Sequence, residues 1–123
     1  MNDKYELTDE MIKYHGVVLH RIRAIKNFPA LGHDIKSGTY GGFIESEANL
    51  AFGEDDDCWI YDDAKVLGKA RVQDHARVTG TAEVYGQAVI KDFASVNGNA
   101  RVGGFVVLQH SERLNGGQLT SSI

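Results

Sequence analysis

Cysteine and proline are almost missing from this 123-residue sequence, which has one of each. A single cysteine excludes an internal disulfide and makes a cytoplasmic setting the expectation. No apolar run approaches the eighteen or so residues that a membrane span requires, so no membrane partner is expected. The opening stretch, Met1 to Glu10, is polar and acidic, unlike a secretory signal. Residues 37–64 contain no lysine or arginine but carry eight acids, namely Glu45, Glu47, Glu54, Asp55, Asp56, Asp57, Asp62 and Asp63. A stretch without positive charge cannot grip phosphates, and nucleic acid is not expected as a partner there. The flanks are slightly basic, which leaves a formal net charge of −4 for the chain.

What the sequence has in quantity is glycine, fourteen residues of it, and a six-residue repeat. Aligned on a small residue, the repeat begins at Cys58, Ala64, Ala70, Ala76, Ala82, Ala88, Ala94 and Ala100, eight units in one register. Each unit has Val or Ile two places on and, two places after that, Gly or Asp. A ninth unit at Val106 keeps Leu108 and puts His110 where the turn residue belongs. Residues two apart on an extended chain point the same way, so the small residue and the aliphatic face a core. The residue between them, such as Lys65, Arg71 or Glu83, faces out. Gly and Asp tolerate the left-handed backbone of a tight turn. Self-similarity at this period marks a repeat architecture.

These units resemble the hexapeptide-repeat left-handed β-helix superfamily. That resemblance implies an all-β fold in which three units make one triangular coil of eighteen residues, here 58–75, 76–93 and 94–111. The glycine comes one place later than in the superfamily's commonest form, as in Val66-Leu67-Gly68-Lys69-Ala70. This variant, with the leader Lys4 to Asp9 and Gly41-Gly42-Phe43-Ile44-Glu45, is similar to phage and prophage proteins labelled hexapeptide acyltransferases. An acyltransferase of that kind would use a histidine base and an acyl-CoA. Otherwise no cofactor is expected.

Before the repeats, Met11 to Tyr14 and Val17 to Ile25 flank His15-Gly16 and predict a hairpin. Leu19, Arg21 and Arg23 are assigned to one face of its second strand, and Val18, His20, Ile22 and Ala24 to the other. Phe28-Pro29 should end it, with a loop from Ala30 to Tyr40. The expected organisation is one domain: a hairpin cap over 1–40, an irregular first coil and acidic loop over 41–57, repeats over 58–111, and a tail over 112–123. Ile44 and Leu50 are the inward residues of the irregular coil, and Gly53 to Asp57 shift the register by four residues. Leu114, Leu119 and Ile123 suit a tail that covers the far end.

Outward residues eighteen apart should stack. Trp59, Arg77, Ser95 and Arg113 form one ladder, Lys65, Glu83 and Arg101 a second, and Arg71, Val89 and Val107 a third. Tyr85, Val89, Phe93, Phe105 and Val107 then gather on or beside one edge. An exposed apolar patch marks an interface, and a trimer or dimer is expected. Glu54, Asp55, Asp56, Asp57, Asp62 and Asp63 form an acidic surface suited to a protein partner, which the phage resemblance makes a host protein, bound and inhibited. Calcium loops need acids at alternating positions around a glycine, and this run lacks that spacing, so no metal is expected. His75 and His110 are candidate general bases by position alone. They do not supply the three ligating histidines of the carbonic anhydrases that share the fold. Cys58 reads as a buried alanine substitute. The function expected is therefore a non-enzymatic binding or structural module, with a small acyltransferase or an assembly subunit as alternatives.

Overall fold

The computed structural model describes residues 2–30 and 33–120. In chain order the first strands are β1 (Tyr5–Tyr14), β2 (Val17–Ala24), β3 (Phe28–Ala30), β4 (His33–Ile35) and β5 (Tyr40–Ile44). The short strands of the repeats follow: β6 (Trp59–Ile60), β7 (Lys65–Val66), β8 (Arg71–Val72), β9 (Arg77–Val78), β10 (Glu83–Val84) and β11 (Val89–Ile90). The series closes with β12 (Ser95–Val96), β13 (Arg101–Gly103), β14 (Val107–Leu108), β15 (Arg113–Leu114) and β16 (Gln118–Thr120).

Each repeat strand pairs in parallel with the one three strands later, so that Lys65 lies beside Glu83 and Glu83 beside Arg101. Three faces result: β5–β7–β10–β13–β16, β8–β11–β14, and β6–β9–β12–β15. They are called here the Val66, Val72 and Val78 faces, after an inward residue of each. The molecule is an all-β solenoid of about four turns. The small residues Cys58 to Ala100 and their aliphatic partners Ile60 to Val102 are all fully buried, which makes the core one continuous column.

Turn chemistry differs by corner. After the Val66 face the positive-φ residues are Gly68, Gly86 and Gly104, whereas after the Val72 face they are Asp74, Asp92 and His110, with φ between 58° and 60° for Asp74 and His110 and 56° for Asp92. The aspartates tolerate this conformation and also use their side chains. Asp74 accepts from the N–H of Asp92 at 3.1 Å, and Asp92 from that of His110 at 2.9 Å. One corner is thus stitched from coil to coil by carboxylates.

The first coil has the expected irregularity. Ile44 pairs with Val66 and Leu50 with Val72, both inward and both fully buried, at a spacing of twenty-two rather than eighteen residues. The extra residues therefore lie between Leu50 and Cys58, and from Trp59, which pairs with Arg77, the register is regular. At the other end, Arg113 pairs with Ser95, and Gln118 with Arg101, one residue short of a full coil. The expected tail therefore adds further rungs to two faces, and Ile123, expected to belong to it, lies outside the described residues.

The N-terminal segment departs from expectation in three respects. β1 starts at Tyr5, not Met11, because Lys4 and Tyr5 are buried against the first coil. The face assignment of β2 is wrong in part: Leu19 is buried, but so are Ile22 and Ala24. Register shifts lie between Leu7 and Met11 on β1, and between Arg21 and Arg23 where β2 meets β5. Such bulges swap the inward and outward sets partway along a strand. Finally, the expected loop from Ala30 contains β4, which pairs antiparallel with β3. The turn itself is as read, with His15 at φ 50° and Gly16 at 81°. β2 then runs antiparallel to β5, which makes the hairpin the end of the Val66 sheet. Trp59 occupies an outward ladder position yet is fully buried, because Tyr5 and Phe28 pack edge-on against it at 6.3 and 5.5 Å.

Candidate functional site

The four extra residues of the first coil open the corner between the Val72 and Val78 faces into a loop, and polar groups collect around it. Asp56 falls in register with Asp74 and makes the same bond, its Oδ1 accepting from the Asp74 N–H at 3.0 Å. Its Oδ2 accepts from Gly53 N–H at 2.9 Å and closes the loop. Asp57 is in register with His75, and its Oδ1 lies 2.6 Å from His75 Nδ1. The His75 ring stacks on Phe93, one coil further, at 4.7 Å and 14°. Asp57, His75 and Phe93 thus form a side-chain ladder along one corner.

Beneath the loop lies Lys4, which the sequence reading passed over. It is 1% exposed, and its ammonium donates to the carbonyls of Ala51, Asp56 and Cys58 at 3.0, 2.7 and 2.7 Å. Burial lowers its pKa, an effect opposed by Cys58, Asp56 and Asp57 nearby. Burial also pushes the Cys58 thiol up to about 11, which keeps it protonated and unreactive. Cys58 fills the inward small-residue slot, as its position implies.

Two clefts flank the loop and share Lys26, Gly53, Glu54 and Asp56. One, of about 920 Å³, is completed by Asp3, Glu47, Ala48, Ala51, Phe52 and Arg71. The other, of about 230 Å³, has Lys4, Phe28, Pro29, Asp55, Asp57 and His75 in its wall. With Nδ1 engaged by Asp57, His75 has Nε2 for other chemistry at this smaller cleft. Among the described residues no group of three or more His, Cys, Asp or Glu side chains is arranged to hold a metal ion.

No family model matches the chain. Over 88 residues it is 35% identical to an "Uncharacterized acetyltransferase YdcK" of Escherichia coli K12. The match takes in 64% of this chain and 25% of that protein, so the chain spans about a quarter of its relative's length. The likeness agrees with a solenoid of hexapeptide-repeat type.

The six acids expected to form a binding surface are not equivalent. Asp56, Asp57, Asp62 and Asp63 are each engaged within the chain: Asp62 accepts from Gly80 N–H at 3.0 Å, and Asp63 pairs with Arg21 at 2.8 Å. Glu54 and Asp55 lie on the exposed part of the loop, at the rims of the clefts. His110 is exposed, bonded through its N–H to Asp92, and outside both clefts. In the apolar set, Phe93, Phe105 and Val107 are 50, 49 and 45% exposed and Val89 is half-buried. Tyr85 lies apart from them, turned to the Val66 face beside Leu67 and Arg101. The aspartates had a signal that was available: Asp56, Asp74, Asp92 and His110 recur at the coil period, as do Asp57, His75 and Phe93. Lys4 had none.

Proposed function

We propose that this chain is a non-enzymatic, cytoplasmic β-helix module, left-handed and closed at its first coil by the N-terminal hairpin. It works by presenting surfaces to other proteins, first of all to copies of itself. The observation that carries this reading is the exposed apolar strip of Phe93, Phe105 and Val107 on and beside the Val72 face. Side chains of that size, exposed on a regular scaffold, suit a protein partner better than a substrate. Multi-angle light scattering at micromolar concentration tests it. A dimer or trimer that dissociates in the Phe105→Ser, Val107→Thr double variant is expected, and a monomeric wild type would overturn it. A further partner, under the phage resemblance a host protein, would meet Glu54 and Asp55. A pull-down from bacterial lysate whose proteins are unchanged by Glu54→Gln with Asp55→Asn would remove that part.

The second reading is acyl transfer from an acyl-CoA. It is supported by the acetyltransferase name of the relative and by His75, held at Nδ1 by Asp57 with Nε2 available as a general base. Thiol release from acetyl-CoA in the presence of amine acceptors, lost in His75→Ala, would favour it over the first. No release and no binding of acetyl-CoA in calorimetry would remove it.

A further inference from the structure

Another cavity lies away from the acidic loop's corner, where the hairpin tip meets the Val66 face. It has a volume of about 280 Å³ and is lined by Tyr14, His15, Leu67, Glu83, Tyr85 and Arg101. Three features set its chemistry. Leu67 is buried in a small apolar cluster with Leu19 and Phe43, against which Tyr14 and Tyr85 pack, so the floor and walls are carbon. Gly103, in register with Tyr85, has no side chain, and a Cβ there would sit 2.2 Å from the Tyr85 ring, so the chain leaves this ring its place. The polar atoms at the rim already satisfy one another. Glu83 pairs with Arg101 at 3.3 Å, burial and then Glu83 raise the pKa of the Tyr14 hydroxyl, and the Arg101 guanidinium lies 5.5 Å from the Tyr85 ring centre.

We propose that this cavity is a binding site for a small uncharged aromatic molecule of one or two rings, held between Tyr14 and Tyr85 over Leu67. The charges nearest the cavity are already engaged, Glu83 with Arg101 at 3.3 Å, and the Lys65 ammonium, 5.3 Å from the Tyr14 ring centre, with the Asp63 carbonyl at 3.3 Å. A volume near the lower end of ligand sites matches a molecule smaller than a drug. Aromatic walls reward an aromatic guest through offset or edge contacts. Because Tyr14 belongs to the hairpin and Leu67 to the first regular coil, such a ligand would also join the two. The site is independent of the apolar strip and of the acidic loop.

Indole is the probe. Titrated into the full chain and followed by proton–carbon NMR, it is expected to saturate with a dissociation constant on the order of a millimolar. The Leu67 methyls and the Tyr14 and Tyr85 rings should shift, with Phe93 and Phe105 unmoved. Leu67→Trp, which fills the cavity, should weaken binding roughly tenfold or more, in a chain whose cooperative unfolding shows that it still folds. Benzoate and phenyltrimethylammonium should bind more weakly than indole. Absence of saturation in the wild type, shifts centred on Phe93 and Phe105, or a charged probe that binds as well as indole would each overturn the proposal, whether or not the Leu67 variant folds.

Discussion

Asp57 and His75 stand one coil apart and meet at 2.6 Å, a carboxylate of the inserted loop on an imidazole of the regular helix. The contact pins an irregular segment to a regular one. Both side chains are partly exposed, so the pair should contribute modestly. A double-mutant cycle of Asp57→Asn and His75→Gln in urea unfolding should give a coupling of about 0.5–1 kcal/mol. Amides of residues 53–57 should exchange faster in either variant while those of Ala82 to Ala94 do not. A coupling near zero would mean that the contact is incidental.

Lys4 should matter more. It is 1% exposed, and its ammonium serves three carbonyls. Lys4→Met has nearly the same length and leaves those carbonyls unmatched, for a loss of about 2–4 kcal/mol. Because Lys4 is charged in a place that disfavours charge, part of its own cost is returned, so a loss well under 1 kcal/mol would show that water replaces it.

Cys58 gives a pH signature. Its thiol is raised from 9.0 to about 11 in the folded chain. A group raised on folding contributes its stability fully below the unfolded pKa and loses it as pH climbs through the folded value. Two pKa units correspond to about 2.7 kcal/mol, lost between pH 9 and 11. Cys58→Ala places in that slot the residue used in the next seven repeats, and should cost under about 1.5 kcal/mol at pH 7. Above pH 9 the difference between the two proteins should shrink and then reverse. Parallel stability curves from pH 8 to 11 would contradict this.

Asp74 separates two roles of a turn residue. Asp74→Gly keeps the positive φ but loses the bond to the Asp92 N–H, and should cost about 1 kcal/mol. Asp74→Ala loses the bond and strains the turn as well, for about 2–3 kcal/mol. Thermal midpoints in the order wild type, Gly, Ala would support the division. Equal midpoints for Gly and Ala would refute it.

Period six made most of the solenoid readable. Ile60, Val66 and Ala76 needed only alternation and spacing to be placed in the core, and the four-residue slip before Cys58 could be counted. The hairpin was legible at its turn, since His15-Gly16 suits two positive φ angles, but not in its faces, because bulges at residues 8–10 and near Ile22 answer to packing across strands. Trp59 could not be recognised as buried, for what covers it comes from Tyr5 and Phe28, both more than thirty positions away. The acidic run was visible as charge only. That Asp56 and Asp57 are spent on Asp74 and His75, leaving Glu54 and Asp55, depends on which residues stack, and that follows only once the turn positions as well as the strand positions are laid out by coil.

The inserted corner has a wider consequence. Four residues enter the chain between Leu50 and Cys58, and the strands on either side still meet their partners in register. In this architecture length is fixed along the flat faces and negotiable at the bends. A bend can therefore carry foreign sequence outward while the faces keep count, and the Asp56 bond to Asp74 shows how little is needed to re-enter the count afterwards. Other bends of this chain, those at Gly86 and Gly98 among them, are on that argument open positions for displayed peptides.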